Sequence, residues 1–218
     1  PATGDPYLSP FAALYEVAVD GFTVGEMKRS LRHLEGDTYV LKSKMYTTGL
    51  AALFKEDSIV ERSTWKLNEG RPKPMEYYYH HEGRGGDLVE RLTFNWSEGT
   101  VTSLRDKETT TLDIIPNLLE KQVYQLVLRE DLAAGKKEIN YEVADRGDIR
   151  TYRFRVVGEE SIETEIGKLR AVKVERLSHS NERKTYFWCS IEHNYQLVRL
   201  VQEDDGHIFS SDILKLET

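Results

Sequence analysis

Histidine, cysteine and carboxylate side chains are the groups of this sequence that could hold a metal ion or take part in catalysis. The six histidines are His33, His80, His81, His179, His193 and His207. A zinc site needs three or four ligands that converge on one point. His80 and His81 are adjacent, so their side chains would point to opposite faces of a β-strand and could not readily share a metal. We therefore expect no metal site and no cofactor.

The single cysteine and the acidic residues give no specific signal of catalysis. Cys189 follows Phe187 and Trp188 in a strand-like run, whereas a reactive thiol needs an exposed, positively charged setting. The glycines between Glu82 and Asp87 are typical of a hairpin, because no helix follows them as a phosphate-binding loop would require. No Gly-x-Ser-x-Gly motif of serine hydrolases is present. The sequence favours a protein that is not an enzyme.

Large apolar side chains at strand spacing are the remaining candidates for a functional role. The aromatic candidates are Trp65, Tyr77, Tyr79, Phe94, Trp96, Tyr152, Phe154 and Trp188. A helical segment adds Leu119, Val123 and Leu126. One interpretation is that these side chains fill an ordinary core. The other is that one helix cannot fill a long curved sheet, so that part of the concave face lines a cavity for an apolar ligand.

Short runs with a period of two position these side chains. Leu92 and Phe94 alternate with Arg91, Thr93 and Asn95, as a half-buried strand requires. Similar runs follow one another from Ala13 onward, and glycine or asparagine turn signals separate them at short intervals that favour antiparallel pairing. The sequence predicts a mainly β fold, a curved antiparallel meander of about ten or more strands that forms a half-barrel or open barrel.

Two segments depart from the strand pattern. Residues 117–132 predict a helix, with Asn117 as its N-cap and Glu120 as the reciprocal capping residue. Its apolar stripe has to be buried, and the sheet is the largest apolar surface available. Residues 50–54 are almost entirely apolar and predict a short helical segment. We expect both segments to lie over the concave face.

Composition limits the possible partners. The 218 residues carry a net charge of −7 without a concentrated basic run, so nucleic acid is not expected as a partner. No apolar run approaches the roughly 18 residues of a membrane span. The proline-rich residues 1–12 predict a flexible leader, and residues 13–218 predict one domain. A chain that starts at Pro1 fits removal of a signal sequence, and equally a trimmed start.

The order of several short motifs resembles a bacterial family. In chain order these motifs are the 21–25 hairpin, Thr48-Gly49-Leu50, Ser63-Thr64-Trp65, Pro74-Met75-Glu76-Tyr77-Tyr78, Leu92-Thr93-Phe94-Asn95-Trp96, residues 113–119, Gly167-Lys168-Leu169-Arg170-Ala171 and Tyr186-Phe187-Trp188-Cys189-Ser190. From about Ala13 onward the chain is similar to the domain-of-unknown-function family 3108. It departs from that family's pattern at Asn117, where an aspartate is usual, and at Glu120-Lys121-Gln122, which replaces smaller residues.

The resemblance implies an exported, periplasmic protein of a Gram-negative bacterium. It also implies a half-barrel akin to the periplasmic carriers that localise lipoproteins, with a lipid or acyl chain as ligand. Together with the residues above, it leads us to expect a noncatalytic binder of a hydrophobic ligand. One alternative is an interaction or structural module of the cell envelope with a filled core and envelope proteins as partners. A weaker one is an enzyme on envelope material that uses Glu82, Asp87 or the histidines.

Overall fold

One curved sheet accounts for nearly all of the chain. The computed structural model describes residues 8–49, 52, 57–83, 86–178 and 183–218. Its strands are β1 (Phe11–Val19), β2 (Phe22–His33), β3 (Thr38–Thr47), β4 (Ser58–Asn68), β5 (Arg71–Glu82), β6 (Leu88–Asn95), β7 (Thr100–Arg105), β8 (Glu108–Asp113), β9 (Leu119–Glu120), β10 (Glu138–Asp145), β11 (Asp148–Thr164), β12 (Gly167–Leu177), β13 (Lys184–Ser190), β14 (Gln196–Asp204) and β15 (His207–Glu217). The helix α1 spans Tyr124–Ala133.

The strands follow one another as hairpins, and β1 joins β15 in the middle of the sheet. The order runs from β8 down to β1 and then from β15 down to β9. All neighbours pair antiparallel except β9, which lies parallel to β10. The edge strands β8 and β9 do not pair with each other, so the curved sheet is not closed. This confirms the predicted fold class.

Tight turns set the register of several hairpins. Glu69-Gly70 and Asp205-Gly206 both have positive φ at two successive residues, with values of 50° and 78° in the first turn and 50° and 79° in the second. Two successive positive φ values are the geometry of the two-residue turn whose twist matches that of paired strands. Not every glycine marks a turn, since Gly158 lies at a register shift within the long strand β11.

The helix begins at Tyr124, seven residues later than the pattern predicts. Asn117 lies in a turn with a left-handed φ of 60°, so it does not cap the helix. Glu120 caps this region instead, because its carboxylate accepts hydrogen bonds from the backbone N–H groups of Gln122 (2.9 Å) and Val123 (3.0 Å). The predicted reciprocal cap is therefore wrong, although one of its two residues has a capping role.

Two further predicted segments are the N-terminal leader and the short helix. Leu8 and Phe11 are buried in the core, and β1 begins at Phe11. The predicted leader of residues 1–12 therefore extends too far, because its last apolar side chains belong to the core. The predicted short helix at residues 50–54 lies, except for Ala52, outside the described residues.

The core lies on the concave side of the sheet and consists of two clusters. The larger one joins the buried face of α1 to strands on both sides of the β1–β15 pair. The smaller one lies around Tyr77, Leu92 and Phe94, where the two ends of the sheet approach each other. The helix thus packs into the concavity, as the sequence predicts.

Candidate ligand-binding site

The strand register arranges the concave face of β2–β6 in rows that run across the strands. There are three successive rows. The first, farthest from the rim, contains Leu31, Leu41, Ser63, Tyr77 and Leu92, which are directly opposite one another on neighbouring strands. All five are buried, with exposed fractions of 0 or 1%. We call this set the packed row.

The second row, which lies between the packed row and the rim of the concave face, is polar. It contains Arg29, Ser43, Glu61, Tyr79 and Glu90, again opposite one another. Arg29, Ser43 and Glu90 are buried. We call this set the polar row. Charged groups on the inward face are costly unless each meets a partner, so the contacts of each decide what the row can do.

The third row lies at the rim and is again mostly apolar. It contains Met27, Met45, Ile59, His81 and Leu88, all of which are half-buried. Two of the three methionines of the chain lie here. Methionine side chains are flexible and polarisable, which suits a surface that adapts to different apolar shapes. We call this set the rim row.

Most of the predicted lining residues lie in the packed part of the concavity. Trp65 is fully buried and stacks on Tyr39 with 4.4 Å between ring centroids. Tyr124 of α1 contacts Tyr152 and Phe154 at centroid distances of 5.3 and 5.5 Å. The other members of this buried set are Tyr77, Phe94, Leu119, Val123 and Leu126.

The space beside α1 is uneven: a cavity of about 400 Å³ is lined by Leu119, Val127 and Tyr141 among others. A cavity of about 10 Å³ lies between Phe11, Arg29, Leu126 and Phe187. That volume holds about one water molecule. A ligand in this smaller cavity would have to displace side chains that already pack closely. A contact between ligand and these residues stays a prediction.

Three predicted lining residues lie elsewhere. Trp96 follows β6 in a turn, and its indole N–H donates to the carbonyl of Pro74 (2.6 Å). Trp188 points to the opposite face of β13 from Phe187, with the Lys173 ammonium 4.7 Å from its ring centroid. Alternation along a strand separates Phe187 and Trp188, so only one of the two can face the concavity. Tyr79 belongs to the polar row and is half-buried.

The two edge strands of the sheet do not pair with each other, but ion pairs connect the two ends of the sheet. The Lys121 ammonium lies 2.8 Å from a Glu90 carboxylate oxygen and 3.4 Å from an Asp145 oxygen. Glu90 also accepts a hydrogen bond from the backbone N–H of Arg146 (2.9 Å). Burial acts to raise the pKa of Asp145, but Lys121, the hydroxyl of Tyr152 and nearby arginines outweigh it and lower that pKa. We call Glu90, Lys121 and Asp145 the seam triad.

Two further carboxylates lie beside the seam triad. The hydroxyl of Tyr77 donates to Glu61 (2.6 Å), and burial together with the Glu61 charge raises the pKa of that tyrosine. Glu120 is fully buried, and burial raises its pKa to about 7 even though two backbone N–H groups bind its carboxylate. These groups were not among the sequence candidates. A carboxylate at an inward position of an alternating strand, such as Glu90 between Leu88 and Leu92, is the signal that could have found them.

Arginines surround a further cavity, of about 590 Å³, at the ends of β11, β12 and β13. Arg150, Arg153, Arg176 and Arg183 line it, and Asp148 is the acidic residue among its lining side chains. Arg150 lies 3.7 Å from Asp145, and Arg183 pairs with Asp204. Its volume falls within the range of ligand pockets, and its lining is basic in a chain with a net charge of −7.

Of the described residues considered for catalysis, His80 and Asp87 form an ion pair at the β5–β6 hairpin. Glu82 and Asp87 are exposed at the β5–β6 hairpin, and His80 Nε2 lies 3.9 Å from an Asp87 oxygen. Within the described ranges, no three His, Cys, Asp or Glu residues could hold a metal ion. Cys189 is buried, which raises the pKa of its thiol to about 12. His179 lies outside the described residues.

Comparison with known proteins places the sequence in a family and shows a related fold. The family described as "Protein of unknown function (DUF3108)" matches residues 14–209. No curated protein matches the sequence significantly. No helix in the described part of the chain is long and apolar enough to cross a membrane.

Two crystal structures are similar over nearly the whole chain. One is a β-barrel-like protein of the domain of unknown function DUF1849 from Brucella abortus, with a TM-score of 0.62 and 11% identity over 96% of this chain and 98% of that one. The other is described as "a putative lipoprotein from Parabacteroides distasonis", with a TM-score of 0.36 and 13% identity over 97% of each chain. At such low identity the first supports the fold alone.

Proposed function

This chain belongs to the DUF3108 family, and we propose that it is a noncatalytic periplasmic protein that binds a hydrophobic, acyl-chain-like ligand against the rim row. The rim row carries this proposal, since half-buried apolar side chains on a concave surface lose further contact with water when an apolar ligand covers them. The packed row below it leaves no comparable apolar surface to cover. The periplasmic location is inferred from the family's resemblance to exported proteins.

Mass spectrometry under native conditions tests this proposal directly. The purified protein is expected to carry a lipid or to take up a fluorescent fatty acid with a stoichiometry of one. Met45→Gln is expected to weaken uptake, whereas Lys44→Gln is the matched control, because Lys44 is the neighbouring residue on the exposed face of β3. A wild-type protein that carries no lipid and takes up no fatty acid would contradict the proposal.

A second function is supported by an exposed apolar patch. Phe22 and Phe209 lie opposite Val19 on neighbouring strands and are 76% and 41% exposed. An exposed patch of this kind suits contact with an envelope protein. A photoreactive residue at position 22 would then give one discrete protein adduct in cells, and one at the exposed Thr23 would not. Absence of any adduct at position 22 would exclude this alternative.

A further inference from the structure

The strand register gathers lysines on the outer face of the sheet, although the sequence contains no basic run. In one outer row Lys215 of β15, Leu14 of β1, Lys28 of β2 and Lys44 of β3 are directly opposite one another. The three lysines are exposed. Residues next to them in the chain, such as Met27, point inward, so the lysines lie on the opposite side of the sheet from the rim row.

The neighbouring outer row adds two more cations. Ser30, Lys42 and Arg62 are directly opposite one another on β2, β3 and β4. Lys42 and Arg62 are exposed, and the Arg62 guanidinium lies 5.9 Å from the ring centroid of Tyr78. We call the five cations of the two outer rows the basic face, which consists of Lys28, Lys42, Lys44, Arg62 and Lys215.

Acidic side chains compensate only part of the basic face. Arg62 forms an ion pair with Glu76 (2.7 Å), and Lys215 forms one with Glu217 (2.6 Å). The other three cations form no ion pair with any carboxylate of the described residues. The chain as a whole has 37 acidic and 30 basic residues, so this surface differs in sign from the average of the protein.

The four lysines of the basic face surround one cavity of about 480 Å³. Lys28, Lys42, Lys44 and Lys215 all line it, and Ala12, Ala13 and Leu14 supply apolar surface between them. The four residues lie on neighbouring strands from β15 to β3, so their Cα atoms lie within about 15 Å across the sheet. Ammonium groups this close repel one another, and anions between them remove that repulsion.

An acidic row borders the basic face on one side. Glu16 and Glu26 are opposite each other on β1 and β2, two residues from Leu14 and Lys28 on the same face. The hydroxyl of Tyr46 donates a hydrogen bond to Glu26 (2.7 Å). These carboxylates weaken the positive potential at this border, so their removal should strengthen the attraction of anions.

We propose that the basic face docks the protein onto the anionic head groups of a phospholipid membrane. Exposed lysines are separate point charges that do not enclose a single anion, and they suit a surface that presents many phosphates. An acyl-chain ligand is a component of membranes, so docking brings the protein to the source of its ligand. The choice of a membrane as the partner rests on the proposed function.

Co-sedimentation with lipid vesicles tests this inference. Vesicles of phosphatidylcholine mixed with phosphatidylglycerol are compared with vesicles of phosphatidylcholine alone, at low and at high salt. We expect the wild-type protein to bind the anionic vesicles about 100-fold more tightly at low salt, which corresponds to about 1 kcal/mol for each of the three lysines without an ion pair. High salt should remove the difference, because it screens exposed charges.

Three double variants complete the experiment. Lys28→Gln with Lys42→Gln is expected to weaken binding to the anionic vesicles about 30-fold. The matched control is Lys107→Gln with Lys137→Gln, which changes the net charge equally at exposed positions outside the basic face and should leave binding nearly unchanged. Glu16→Gln with Glu26→Gln should strengthen binding, because it removes the acidic border.

Three results would overturn the inference. Equal binding to both kinds of vesicle, or to neither, would show that the basic face does not recognise anionic lipid. Equal losses in the two lysine double variants would show that net charge acts and the basic face does not. A short DNA duplex that binds as tightly as the anionic vesicles would show a general attraction of polyanions and overturn the choice of a membrane.

Uptake of a fluorescent fatty acid from solution separates this inference from the proposed function. Lys28→Gln with Lys42→Gln is expected to take up the fatty acid as the wild-type protein does. Docking of a wild-type protein that takes up no fatty acid would support the basic face and contradict the proposed function. Uptake without docking would do the reverse.

Discussion

The packed row and the rim row lie on the same face of the same strands, only four residues apart. Leu31 and Met27 both point inward from β2, and Leu41 and Met45 both point inward from β3. Yet Leu31 and Leu41 are 1% and 0% exposed, whereas Met27 and Met45 are half-buried. The polar row separates the two. The same alternation along a strand therefore gives different burial in the two rows, because different groups cover each row.

The cover differs between the two levels. The buried face of α1 packs into the larger core cluster, which includes Leu31 and Leu41. The residues directly above it, in the polar row, satisfy some of their charges across the seam and leave Arg29 without a partner. The closely packed half of the concavity contributes stability, and the incompletely packed half, at the rim row, is available for binding.

Trp65→Ala should give the largest loss of stability in this comparison. Trp65 is fully buried and stacked on Tyr39, so its removal leaves a large cavity in the packed half. We expect the free energy of unfolding to fall by about 3–5 kcal/mol, measured by urea denaturation.

Phe22→Ala, outside the packed half, is the matched control for Trp65→Ala. Phe22 is 76% exposed, and its truncation should change the free energy of unfolding by less than about 0.5 kcal/mol. Similar losses for both variants would contradict the division into a packed and an open half.

Lys121→Met should have the next largest effect, because it leaves the Glu90 carboxylate without its ion-pair partner and removes one of the three cations around Asp145. Both carboxylates are at least nine-tenths buried, and breaking a buried ion pair from one side costs about 3 kcal/mol. Lys136→Met removes an exposed ion pair with Asp131 and should cost about 1 kcal/mol or less. Equal effects in thermal unfolding would show that the seam triad does not hold the ends of the sheet together.

Glu120 should make stability depend on pH. Its pKa is about 7 in the folded protein against an ordinary value of 4.5, so the folded state holds a proton that the unfolded state releases between these values. The folded state is thus favoured at low pH, and this contribution is lost as the pH rises from about 4.5 to 7. The loss amounts to about 3.5 kcal/mol at most, at about 1.4 kcal/mol per pKa unit.

Glu120→Gln is the variant that isolates this effect. Urea denaturation at pH 5 and pH 8 should show a smaller difference for the variant than for the wild-type protein. An unchanged difference would assign the pH dependence to other groups, such as His207, whose pKa is raised by its contact with Asp20.

Arg29→Met should give the smallest effect, with the opposite sign. Because Arg29 is buried without a counterion, methionine removes an uncompensated charge and keeps most of the apolar volume. We expect the ligand-free protein to gain about 1 kcal/mol in urea denaturation. A loss of several kcal/mol would show instead that Arg29 stabilises the core.

The strands and their curvature could be predicted from the sequence because they depend on local patterns. The alternation of Leu92 and Phe94 with polar neighbours placed β6 correctly, and the glycines at turns marked most hairpins. The end of the helix was predicted to within one residue, at Leu132 instead of Ala133. Its start was missed because Glu120 competes with Asn117 as a cap, and only the fold decides between them.

The rows of the concave face could not be predicted, since they depend on which strands become neighbours. Arg29 and Glu61 have no relation in the sequence, and the register of β2, β3 and β4 brings them into one row. Trp188 was assigned to the concavity by its type, although Phe187 is the neighbour that faces inward. The seam triad joins residues 90, 121 and 145, which no local pattern connects.

Photo-cross-linking with a fatty acid that carries a diazirine in its chain tests the division between the halves most directly. Palmitic acid labelled in this way, bound to the protein and irradiated, should modify peptides that contain Met27, Met45 or Ile59, as identified by mass spectrometry. Adducts on Trp65 or on α1 would place the ligand in the packed half and contradict this account of the molecule. Absence of any adduct above that of free label would contradict it as well.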